Sequence, residues 1–104
     1  MKMEPQQGIT PDSWVIVEIV HGAETFQKIL AGWSGGYLDG DSWRMSSPIK
    51  EMHIDVDLDY ITAVTHSGSK YTLRKSSQGL RMSTSGVWGQ LKERYDDMVR
   101  IVEL

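Results

Sequence analysis

The chain has 104 residues, 39% hydrophobic and 24% charged, with a formal net charge of −3 and no cysteine. This length fits one domain with a single modest core. The missing cysteines exclude disulfide staples and thiolate chemistry, and the acidic balance argues against a generic nucleic-acid binder.

No apolar run approaches the roughly 18 residues of a membrane helix. Residues 1–12 lack the apolar segment of a secretory leader, so a cytoplasmic protein is expected. Those twelve residues are polar, with Pro5, Gly8 and Pro11, and read as a flexible arm ahead of a globular domain over 13–104.

Residues 13–20, SWVIVEIV, are rich in β-branched side chains and read as a mostly buried strand. After a turn at His21-Gly22-Ala23, residues 24–33 fit a helix through Phe26, Ile29, Leu30 and Trp33, or a strand hairpinned to the first. The strand is preferred because the stretch is short and ends next to glycine. Glycines at 35, 36 and 40 make 35–41 a loop, and 42–46 read as a short strand before Pro48.

Between Met52 and Tyr60 apolar and polar residues alternate without a break. Met52, Ile54, Val56, Leu58 and Tyr60 fall on one face and His53, Asp55, Asp57 and Asp59 on the other, the period of a strand. ITAVTH and SKYTLRK then form a hairpin about Ser67-Gly68. A two-residue turn there sets Val64 opposite Tyr71 and Thr62 opposite Leu73. Tyr60, Thr62, Val64, Tyr71 and Leu73 would then face the core, with Lys70, Thr72 and Arg74 outward beside Ile61, Ala63 and Thr65.

Residues 79–83 are expected to add a short strand. Ser85 reads as an N-cap to a helix over 86–97 whose stripe is Trp88, Leu91, Tyr95 and Met98. Residues 98–104 read as a closing strand, although Val102 also continues the helical stripe. The expected fold class is α+β: a mainly antiparallel or small barrel-like sheet with one helix in the C-terminal half.

Several motifs fail in their context. Gly32-Trp33-Ser34-Gly35-Gly36 spells the G-x-S-x-G of a serine hydrolase, but that nucleophile sits between a strand and a helix. GGYLDGDSW is too rich in glycine to begin such a helix. Asp55-Val56-Asp57-Leu58-Asp59 resembles the opening of a calcium loop, but Tyr60 and His66 stand where glycine and a bidentate glutamate are needed. His21, His53 and His66 lack ligand spacing for zinc. No cofactor is implied, and an enzyme is not expected.

Charge is segregated along the chain. Between Lys50 and Asp59 one lysine meets four acids, whereas between His66 and Gly86 four cations meet none. Arg presents a planar fork to phosphate, and serine hydroxyls and glycine-flanked amides donate to anionic oxygens. Lys70, Arg74, Lys75 and Arg81, with Arg44 and the aromatic faces of Tyr37 and Trp43, are therefore the candidate ligand-binding residues. The expected ligand is a small anionic, nucleotide-like molecule. The alternative reading makes the Asp55, Asp57 and Asp59 face a mimic of nucleic acid, inhibiting a host defence or nucleic-acid-binding protein in the manner of an anti-CRISPR. Short strands leave edges and four tryptophans are many for one small core, so a homo-oligomer is also expected.

Around GWSGGYLDGDSWRMSSPI and HSGSKYTL the chain resembles small proteins of phages and prophage regions. In those, a GGYL segment leads into SWR, and a Ser-Gly-Ser turn precedes an aromatic strand. The matching positions are Gly35, Gly36, Tyr37, Leu38, Ser42, Trp43 and Arg44, then Ser67, Gly68, Ser69 and Tyr71. The resemblance implies a mobile-element source and a counter-defence protein that works by binding in the host cytoplasm. It carries over no catalytic residue.

Overall fold

The run SWVIVEIV alternates inward side chains on both faces, because its strand lies in a middle layer. A computed structural model describes residues 8–33, 42–57 and 59–104. In it β1 (Ser13–His21) pairs antiparallel with β2 (Glu24–Trp33), which pairs with β3 (Ser42–Met45). On its other side β1 takes β7 (Val99–Val102), giving the sheet order β3-β2-β1-β7. A second antiparallel sheet has the order β4-β5-β6, built from β4 (Ile49–Asp55), β5 (Tyr60–Thr65) and β6 (Lys70–Arg74).

The two sheets pack face to face. Trp14, Ile16, Ile29 and Ala31 of the first meet Ile61, Ala63, Tyr71 and Leu73 of the second, all buried. The opposite face of the first sheet carries Val15, Val17, Leu30 and Val99, and helix α1 (Met82–Tyr95) covers it with Val87, Trp88 and Leu91. A strand apolar on both sides is what such a middle layer requires. The fold is thus mainly antiparallel β with one helix in the C-terminal half, as expected, with its strands in two packed sheets.

Several local expectations are corrected. The alternating stretch does not run on to Tyr60: β4 ends at Asp55 and the chain turns, with the Asp59 N–H bonded to the Asp55 carbonyl at 3.0 Å. Asp59 sits at φ +62°, a conformation that aspartate tolerates better than most residues. The acids therefore belong to a turn, and Asp55, Asp57 and Asp59 do not share one strand face. Leu58 lies outside the described residues.

The β5–β6 register is also shifted by one. Ala63 faces Tyr71 and Ile61 faces Leu73, so Ile61, Ala63 and Thr65 point inward in place of Tyr60, Thr62 and Val64. The loop holds three residues, His66-Ser67-Gly68, with Gly68 at φ +93° and the Thr65 N–H bonded to the Ser69 carbonyl. Three-residue hairpin loops close on a positive-φ residue in this way. Lys70 and Arg74 keep their outward face, both exposed.

No strand forms over 79–83, and α1 begins at Met82, earlier than expected. The Thr84 hydroxyl accepts the Arg81 N–H at 2.9 Å, while the Ser85 N–H already belongs to the first turn through the Arg81 carbonyl at 2.7 Å. Ser85 therefore does not cap the helix. The expected stripe is cut short as well: Tyr95 and Met98 are exposed because the helix stops at Tyr95, where Asp96 turns the chain at φ +48°.

Candidate anion-binding hollow

β6 delivers Arg74 to the end of its sheet, and the segment after it is fastened at several points. The Arg74 carbonyl accepts the indole N–H of buried Trp14 at 2.7 Å. The Gly79 N–H, at φ +147°, returns to the Trp14 carbonyl at 2.8 Å. Between them Lys75–Ser77 forms one 3-10 turn, and the Gln78 side-chain amide exchanges hydrogen bonds with the Leu104 backbone at 2.8 and 3.3 Å. Arg81 follows as the residue preceding the first turn of α1.

The opposing wall comes from residues 10–12. Ile9 forms a parallel bridge with Tyr71, donating to the Lys70 carbonyl and accepting from the Thr72 N–H, each at 2.8 Å. Asp12 donates its N–H to the Gly32 carbonyl at 2.9 Å. These anchors extend the second sheet along the outer side of β6 and hold the wall in place; residues 1–7 of the expected arm lie outside the described residues.

Between the walls is an open hollow of about 450 Å³, lined by Thr10, Pro11, Asp12, Arg74, Ser77 and Arg81. Neither arginine makes an ion pair with another described residue. Two guanidinium groups and two hydroxyls can hold a ligand that carries anionic oxygens.

The candidate residues are thus divided. Arg74 and Arg81 meet at the hollow. Lys75 is exposed on the 3-10 turn beside it, and Lys70 stands on the same strand face as Arg74, roughly 13 Å up the strand. Trp43 and Arg44 lie on β3, the edge of the other sheet, and point to opposite faces of it. Tyr37 and Ser34 lie outside the described residues. Thr10, Asp12 and Ser77 were not anticipated; the only sequence signal for the first two is the Thr-Pro-Asp that runs directly into β1.

The serine-rich turn has a structural role. Ser47 Oγ bonds Ser67 Oγ at 3.0 Å and accepts the Ser67 N–H at 3.1 Å, and Thr65 Oγ1 lies 3.2 Å from Ser67 Oγ. Buried Ser46 accepts the Ile29 N–H at 2.8 Å and donates to the Ser47 carbonyl at 2.7 Å. These hydroxyls join the two sheets. In the core the Tyr71 hydroxyl has no hydrogen-bond partner among the described residues; burial pushes the phenol above its ordinary range, offset in part by the positive field of Arg44. Among the described residues no three His, Asp or Glu side chains converge as a metal site would require.

Three of the four tryptophans are used inside the molecule. Trp14 is in the core, Trp33 packs against it, and Trp88 packs from α1 onto the first sheet. Trp43 is about half exposed. Among the described residues no helix is long and apolar enough to cross a membrane. Comparisons with protein families, with curated proteins and with solved structures find no match.

Proposed function

We propose that this chain is a non-enzymatic binding protein that takes up a small anionic, nucleotide-type ligand in the hollow between residues 10–12 and 74–81. The observation that carries the reading is the convergence of Arg74 and Arg81, seven positions apart in sequence, on one hollow with two hydroxyls. Its volume lies within the roughly 300–1,000 Å³ of ligand sites. The guanidinium forks suit phosphate; Lys70 and Lys75 nearby add positive potential that draws an anion in. Among the described residues no aromatic side chain lines the hollow, and the reading rests on phosphate recognition by the two guanidinium groups. In the phage setting implied by the sequence resemblance, such uptake would withdraw a signalling nucleotide from the host.

The test is a thermal-shift and calorimetric screen of mono- and dinucleotides against inorganic anions. A ligand that binds only the folded state raises the melting temperature. Arg74→Ala or Arg81→Ala should weaken binding by about 1.5–3 kcal/mol, the scale of a lost charged hydrogen bond, with the fold intact. Asp57→Asn should leave binding unchanged. No shift with any nucleotide would overturn the reading. Capture of a basic host protein that depends on Asp57 but not on the arginines would establish the inhibitor reading instead.

A further inference from the structure

Lys28 interrupts an apolar row on β2. It stands between Phe26 and Leu30 on the face that α1 covers, opposite buried Val17. Beyond the end of the helix this face opens into a groove of about 580 Å³, lined chiefly by Ile19, Phe26, Leu91, Met98 and half-buried Lys28. The Lys28 ammonium makes no ion pair with another described residue. An apolar groove with a cation in its wall calls for an apolar side chain accompanied by a carboxylate.

The same chain carries that combination elsewhere. Val56, at the tip of the β4–β5 turn, is 83% exposed and Ile54 before it 54% exposed. Exposed Asp57 follows directly and makes no ion pair with another described residue. This knob and the groove lie at opposite ends of β1. The turn adjoins the start of β1, because Tyr60 pairs with Arg74 and the Arg74 carbonyl is bonded to the Trp14 indole. The groove is at the far end, by Ile19–His21, roughly 20 Å away along the strand. They cannot meet within one molecule.

We infer that the groove receives the β4–β5 turn of a second copy of this chain, with Val56 seated among Ile19, Phe26 and Met98 and Asp57 paired with Lys28. The contact joins two different surfaces, so an associated pair keeps one free knob and one free groove, and association proceeds head to tail. One turn in one groove buries less than the roughly 1,200 Å² of a standard stable interface, so assembly should depend on concentration.

Sedimentation velocity from about 5 to 500 µM, two decades in concentration, should show the wild-type mass rising. Val56→Lys removes the knob and Lys28→Glu spoils the groove; each alone should remain monomeric, its association weakened more than about tenfold. Mixed together they should form a one-to-one dimer and stop, because one retains a working groove and the other a working knob. Met98→Glu, at a half-exposed position, serves as a second groove variant should Lys28→Glu unfold, with circular dichroism reporting the fold of each. A wild type that stays monomeric throughout, a Val56→Lys protein that associates like wild type, or folded variants that fail to pair when mixed would each overturn the inference.

Discussion

Trp14→Phe tests whether one indole ties the core to the hollow. The side chain is 1% exposed and its N–H donates to the Arg74 carbonyl at 2.7 Å. Phenylalanine keeps most of the apolar body but leaves that carbonyl without its partner, a loss of about 1–3 kcal/mol. The smaller ring also leaves a void of roughly 40 Å³, which at about 24 cal/mol per Å³ adds about 1 kcal/mol. The sum, about 2–4 kcal/mol, corresponds to a fall in Tm of roughly 10–25 °C for a domain near this size. Far-UV circular dichroism on heating reads it without interference from the other tryptophans. Ligand affinity should fall as well, measured well below the lowered Tm, because the Arg74 end of the 74–79 segment is released. A loss of stability under about 1 kcal/mol would refute the reasoning, since neither the hydrogen bond nor the packing could then have the weight assigned.

Ser46→Ala leaves the buried Ile29 N–H unpaired and should cost about 1–3 kcal/mol, read as a lower urea midpoint with an unchanged slope. The Glu18 carboxylate accepts Arg100 Nε at 2.8 Å and the Gln27 amide at 3.2 Å, and these bonds, the arginine's first, hold it below the ordinary carboxylate range. A lowered folded-state value stabilises the fold above the unfolded glutamate's titration and loses that contribution as pH falls through the folded one. Arg100→Met should therefore reduce the urea midpoint at pH 7 and change it little near pH 2.

The alternation of buried and polar residues was readable where one sheet face meets the core, and the two-sided apolar run of β1 pointed to a covered strand. What alternation does not specify is where a strand stops. Met52 to Tyr60 satisfies period two perfectly, yet the chain turns after Asp55, because Asp59 can take a positive φ that branched residues resist. The β5–β6 register depended on whether the loop held two residues or three, and one glycine fits either. The start of α1 lay hidden because its decisive hydroxyl, Thr84, is inside the helix rather than before it. Arg74 and Arg81 could be named from charge segregation. Thr10 and Asp12 could not, since their place depends on a bridge between Ile9 and Tyr71, 62 positions apart.

The pairing of β1 with β7 has a consequence for how the chain comes to be folded. Ile16 waits for Val102 and Ile19 for Val99, more than 75 residues downstream. The β4-β5-β6 meander needs only neighbouring segments and can close early, since short loops are the fastest to form. During synthesis at about 5–20 residues per second, β1 emerges several seconds before its last neighbour. Throughout that interval the edge of WVIVEIV that β7 will cover is an open template for any other nascent copy. Crowded polysomes, slow translation of the stretch that ends in β7, and a lack of chaperone should therefore lower soluble yield well before any loss of native stability becomes measurable.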